Sequence, residues 1–231
     1  GQTGRIQREE NGQTSAYYVL DNHSKMTIAG GTIYNNSGDN VNGASLIRNI
    51  GTQESAATLE ITGGNLQQDN FIVVKNDDYG KLTVTGGTII SKNNQAIQNW
   101  NDAEIKGGLM DGQVITWSYT EVPNNAKMEI TGGKIDGPVM AINYYSNNNY
   151  GTAPNVIISE TACITGELGT YTYNNGVTTA IKDLDQAKIE VNGGTFGHSV
   201  NDLYLSDNLS AELYSLSNDE TPYSYYPSVE A

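Results

Sequence analysis

Cysteine is nearly missing from this chain of 231 residues: one, Cys163, stands alone, so no internal disulfide staples the fold. It sits within a repeated segment and reads as an interior side chain, the common fate of a free thiol. Proline is scarce (5) while glycine is plentiful (26), with no Gly-X-Y period, which excludes a collagen-like rod. Long apolar runs are absent, which excludes a membrane-spanning helix, and no signal peptide stands at the start. The opening "GQTGRIQREE" reads as an excised or processed piece of a longer chain. Basic residues are few: 12 Lys and Arg face 26 Asp and Glu, for a net charge of −14. Nucleic acid and anionic membrane surfaces would be repelled, and polyanionic substrates need a screening cation. The two histidines, His23 and His198, lie near opposite ends with no ligand-like spacing, so a zinc or catalytic pair is not expected.

One phrase recurs: "KMTIAGGTIY" (25–34), "TLEITGGNLQ" (58–67), "KLTVTGGTII" (81–90), "DAEIKGGLMD" (102–111), "KMEITGGKID" (127–136) and "KIEVNGGTFG" (188–197), with a degenerate copy, "NVIISETACI", at 155–164. Its form is Φ-x-Φ-x-G-G-x-Φ, where Φ is apolar. Period-two alternation marks strands and makes inward pairs of Met26/Ile28, Leu59/Ile61, Leu82/Val84, Ala103/Ile105, Met128/Ile130 and Ile189/Val191. The Gly-Gly reads as a sharp corner between two strands rather than a phosphate loop. Glycine pairs at 30, 63, 86, 107, 132 and 193 are 33, 23, 21, 25 and 61 residues apart, the spacing of a solenoid. Period-two alternation and glycine density exclude helical repeats.

A further strand per repeat is read at "SLIRN" (45–49), "IVVKN" (72–76), "QAIQN" (95–99), "QVITW" (113–117), "MAINY" (140–144) and "TAIKD" (179–183). Aligned, these stack Ile47, Val74, Ile97, Ile115, Ile142 and Ile181, followed by a column of Asn49, Asn76, Asn99, Trp117, Tyr144 and Asp183. Asparagines stacked on successive rungs pass side-chain hydrogen bonds along the column. Three strands per turn give the expected fold: all-β, a right-handed single-stranded parallel β-helix of about seven to eight coils, roughly 35 Å long at a rung spacing of ~4.8 Å. Residues 1–14 are expected to be a polar lead-in or partial coil, 15–200 the β-helix, and 201–231 a C-terminal cap and linker, since solenoid ends must be covered. Loops vary at 50–57, 118–126 and 145–154.

Strings such as "TVTGGTIISKN", "EITGGKIDG" and "EVNGGTFGHSVNDLYL" resemble the right-handed β-helix repeats of large modular surface proteins from gut bacteria, broadly the pectate-lyase-like superfamily. The likeness spans residues 17–205 and is specific for fold, not activity. It implies an extracellular, cell-surface location and neighbouring domains of a larger protein, without direct membrane insertion.

For chemistry, the outward column beside the isoleucines reads Arg48, Lys75, Gln98, Thr116, Asn143 and Lys182, with no carboxylate for a lyase or hydrolase. Asp77 and Asp78 in "NDDYG" have an ordinary turn reading. The other outward column, Thr27, Glu60, Thr83, Glu104, Glu129, Ile157 and Glu190, places Glu104 beside Glu129. With Asp111 and Asp136 they are a weak Ca²⁺ candidate, against a plain reading as a solvated acidic row; no other cofactor is expected. Glutamates break the threonine rows that an ice-binding face would need. The aromatic residues Trp100, Trp117, Tyr119, Tyr144 and Tyr145 follow the Asn column on successive coils. Rings flanked by amides suit a polysaccharide or host glycan; rings that merely cap the strand corner are the alternative. The chain is expected to be a non-catalytic module, spacer or adhesin, with a carbohydrate-active enzyme using Asp77, Asp78, Glu104 or Glu129 as the competing reading.

Overall fold

In the repeated phrase every second residue is apolar, so each strand has one face that must be buried and one that tolerates water. The computed structural model, which describes residues 4–8, 18–35, 44–120, 126–207, 209–213 and 223–227, meets this demand by stacking like on like. It is all-β, a large and mostly parallel sheet that does not close, with one 3-10 turn at Asp202–Tyr204 and no α-helix among the described residues. No described helix is long and apolar enough to cross a membrane.

Three parallel ladders carry the core. The first aligns Met26, Leu59, Leu82, Ala103, Met128, Val156 and Ile189. The second, just past the glycine pairs, aligns Ile6, Ile33, Leu66, Ile89, Met110, Ile135, Ile164 and Phe196. The third aligns Leu20, Ile47, Val74, Ile97, Val114, Val139 and Leu168. The inward pairs expected from alternation are buried, Met26 at the first rung only partly, and they join one hydrophobic cluster. The corner reading of Gly-Gly also holds. At Gly87 φ is +87°, and a Cβ there would lie 2.9 Å from the carbonyl carbon of Gly63 on the preceding rung. Only glycine satisfies both constraints.

The third ladder differs from expectation. Ile97 is opposite Val114, not Ile115, and Val114 opposite Val139, not Ile142. Both Val114 and Ile115 are buried, so alternation alone does not choose between them. A bulge decides: Gln95 still faces Gln113, and the register slips by one between Gln95 and Ile97, where Ala96 is left without a partner. The column on the face away from the core therefore runs Arg48, Lys75, Gln98, Ile115, Met140, of which Gln98 and Ile115 are themselves buried, while Thr116 and Asn143 are buried outside it. Likewise 179–183 is not the next parallel strand. Leu168–Asn174 takes that place, and Val177–Ala180 folds back on it antiparallel across an Asn175-Gly176 turn with φ of +48° and +83°. Ile181 packs at the core's margin, outside the column. In the degenerate copy Ile164 takes the interior position, and Cys163, opposite Lys134 and Thr195, is only half-buried.

The asparagine ladder forms and starts one rung earlier than expected. Asn22 donates to Asn49 (2.7 Å), Asn49 to Asn76 (2.8 Å) and Asn76 to Asn99 (2.8 Å). It stops at Asn99, whose Nδ2 donates instead to the carbonyls of Asn101 and Lys127. Trp117 and Tyr144 do not continue it; their chain neighbours Ser118 and Asn143 are the buried polar pair, 3.1 Å apart.

The ends differ. Arg5–Arg8 pairs in parallel with the second half of Lys25–Asn35. Beyond Phe196, Tyr223–Pro227 pairs antiparallel with Gly194–Phe196 and with Leu209–Leu213, and buried Tyr225 lies edge-on to Phe196. The linker and lead-in readings otherwise fall on residues 1–3, 9–14, 208, 214–222 and 228–231, outside the described residues, as does most of the loop at 118–126.

Candidate binding groove

The side chains that gather into a groove come from the end of the third ladder, where the chain leaves each strand. On Ile72–Asn76, Asn76 turns inward to the asparagine ladder and Lys75 takes the opposite face. The next residues form a turn, Asp77 to Gly80, closed by Gly80 N–H donating to Asp77 C=O at 2.9 Å. Glycine is required at 80 because a Cβ would collide with Asn76 Oδ1. One coil on, Trp100 is fixed by its N–H to Asn76 C=O (2.8 Å) and by its indole Nε1 to Gln98 Oε1 (2.8 Å).

Five rings then form one continuous train. Tyr119 meets Trp100 edge-on (5.2 Å), Trp100 stacks on Trp117 (5.4 Å, 19°), Trp117 meets Tyr173 edge-on (5.7 Å), and Tyr173 stacks on Tyr144 (5.2 Å, 21°). Such offset and edge contacts are each worth about 0.5–1.5 kcal/mol beyond area burial. A cavity of about 330 Å³ opens beside the train, lined by Lys75, Asp77, Trp100, Tyr119, Tyr144 and Ser146.

Of the five aromatic residues singled out from the sequence, Trp100, Tyr119 and Tyr144 therefore line the cavity. Trp117 lies behind Trp100 with its Nε1 buried and unpartnered, and Tyr145 pairs with Tyr150 across the hairpin of the 145–154 insert. Sequence reasoning misses Tyr173, because it assigns this coil's strand to 179–183. The one signal for it is that Tyr144 and Tyr173 fall opposite each other once Leu168–Asn174 is recognised as the strand.

Sequence reasoning also misses the charged floor. Asp77 Oδ2 lies 2.9 Å from Lys75 Nζ and 3.5 Å from Arg48 Nε. Tyr119 Oη donates to Asp78 at 3.2–3.3 Å. Burial and then the neighbouring Asp77 charge push the Asp78 carboxyl upward, against the pull of Tyr119, Lys75 and Arg48. The turn thus places Asp77 and Asp78 at the aromatic groove, although the outward strand column holds no carboxylate there.

The acidic candidates lie elsewhere. Glu104 and Glu129 are register neighbours, as are Asp111 and Asp136. Each glutamate takes a lysine two residues away, Glu104 with Lys106 at 2.6 Å and Glu129 with Lys127; Lys134 is 3.1 Å from Asp136. The hydrogen bonds to Glu104 and Glu129 raise the pKa of Lys106 and Lys127. Among the described residues no group of three or more His, Cys, Asp or Glu is placed to hold a metal ion. His23 is 3.1 Å from Asp21. His198 lines a separate cavity near the C-terminal end.

Compared with known proteins, the chain matches no family model, and no curated protein and no solved structure matches it.

Proposed function

We propose that this chain is a non-catalytic, extracellular module of a bacterial cell-surface protein, a right-handed single-stranded parallel β-helix of the pectate-lyase-like kind that carries a glycan-binding groove. The three ladders, each advancing in step through the same coils, support the β-helix reading. The observation that carries the binding role is the train of rings opening on a cavity with Lys75, Asp77 and Ser146 at its edge. Apolar ring faces beside a few polar groups are what a sugar, with its own apolar and hydroxylated faces, requires. The test is a tryptophan-fluorescence titration against plant, mucin and bacterial-wall oligosaccharides, because Trp100 and Trp117 are the two tryptophans of the chain. A saturable shift that Trp100→Ala abolishes supports the groove; a flat response leaves a structural spacer.

A second reading, a polysaccharide lyase or glycoside hydrolase, has one observation behind it. Asp78, with its raised pKa, bonds to Tyr119 beside the cavity and adjoins the ion-paired Asp77 that lines it, and unlike carboxyl environments are what acid and base roles need. Release of reducing ends or of unsaturated products from any bound polysaccharide, lost in Asp78→Asn, would establish it.

A further inference from the structure

The floor of the groove restricts what kind of sugar it takes, an inference that rests on the glycan-binding role proposed for the groove. Lys75 and Asp77 side chains are each only 16% exposed, and they stand as a donor and an acceptor side by side. Arg48 and Lys75 both approach Oδ2 of Asp77, and no described residue hydrogen-bonds Oδ1. The neighbouring polar groups are already engaged: Trp100 Nε1 with Gln98, Tyr119 Oη with Asp78, and Ser146 Oγ with Thr120 Oγ1 at 2.7 Å.

We propose that the groove binds an uncharged sugar, one of whose ring hydroxyls accepts from Lys75 Nζ while its neighbour donates to Asp77, with the ring laid against Trp100. Adjacent ring hydroxyls are spaced like the Lys75–Asp77 pair, and each is both donor and acceptor, so both charged groups keep a partner. Charged sugars fail on one side or the other. A uronate carboxylate drawn to Lys75 lies beside the Asp77 carboxylate and near Asp78, so like charges crowd at the same floor. An ammonium drawn to Asp77 meets Lys75 and Arg48. Opposite charges side by side thus select against both ionic classes. The cavity of about 330 Å³ is at the small end for ligand pockets, which start near ~300 Å³, so one or two rings fill it.

The experiment titrates the whole chain with three sets of oligosaccharides: neutral manno-, gluco- and galacto-oligomers, oligogalacturonates, and chitosan oligomers. The expected result is saturable binding within the neutral set and affinities at least about ten-fold weaker for both charged sets, the scale of one hydrogen bond to a charged group. Asp77→Asn and Lys75→Met should each weaken the neutral sugar by about ten-fold or more, with circular dichroism unchanged. Tighter binding of oligogalacturonate or chitosan overturns the neutral-sugar inference and leaves the glycan groove standing. Full neutral affinity in Asp77→Asn overturns the hydroxyl bridge. No saturable binding by any set overturns both. Should the variants not fold, the wild type decides through salt: neutral binding holds to about 0.5 M NaCl, whereas a sugar held by its own charge is lost as screening grows.

Discussion

At the level of single residues, buried amides and one carboxyl carry the sharpest consequences. Asn49 is the middle of the asparagine ladder: it accepts from Asn22 and donates to Asn76 and to the Lys81 carbonyl. Replacing it by alanine removes three bonds and leaves buried polar atoms on both neighbours. Asn49→Ala is therefore expected to lower stability by about 2–3 kcal/mol, read from urea denaturation. Asp78 has the opposite character, since its folded-state pKa is raised, first by burial and then by Asp77. A raised carboxyl pKa means the folded state holds its proton more tightly than the unfolded one. Its stabilisation is complete below the unfolded pKa of about 3.9 and is lost as pH rises through the folded value. The melting temperature of Asp78→Asn relative to wild type should therefore climb between acid and neutral pH; a flat difference would contradict the shift.

Among the strands and their corners, the glycine pair makes two demands, and the structure separates them. Gly30 and Gly86 hold the same place in the phrase. A Cβ on Gly86 would fall 2.5 Å from the Thr62 carbonyl oxygen on the rung before, whereas nothing lies within 4 Å of one on Gly30, at the first such corner. Gly86→Ala should cost about 1–3 kcal/mol through backbone overpacking, and Gly30→Ala should stay within about 0.5 kcal/mol. Equal losses would show that the glycine is needed for its own conformation and not for the approach of the neighbouring coil. The Glu–Lys pairs on the first ladder, Glu104–Lys106 and Glu190–Lys188 among them, are exposed and contribute little each.

For the molecule as a whole, stacked parallel strands leave open edges at both ends, and an open edge invites another chain. The C-terminal hairpin blocks one: its strand Tyr223–Pro227 covers Gly194–Phe196, and the Tyr225 hydroxyl accepts from Val200 N–H at 3.1 Å. A chain ended after Ser206 should lose that cover and self-associate. Size-exclusion chromatography with light scattering would then show oligomers where the full chain shows fewer, and an unchanged monomer would deny the hairpin this role.

The all-β class, the inward pairs of the phrase, the glycine corners and the asparagine ladder from Asn49 to Asn99 are legible in the sequence. Each depends on alternation and on residue chemistry within a few positions, which a linear string records. The remainder came from tertiary packing. Val114 rather than Ile115 fills the third ladder because the register slips by one at Ala96 of the facing strand, and both residues are buried, so no local pattern separates them. Tyr173 joins the ring train because Leu168–Asn174, before the chain doubles back, takes the place beside Val139–Ser146. Asp77 and Asp78 reach the aromatic groove because a turn carries them off the strand column, which itself holds no carboxylate. Contacts between paired strands join residues far apart in the chain, and their register accumulates every turn and bulge in between, which is why the groove becomes visible only once the strands are paired.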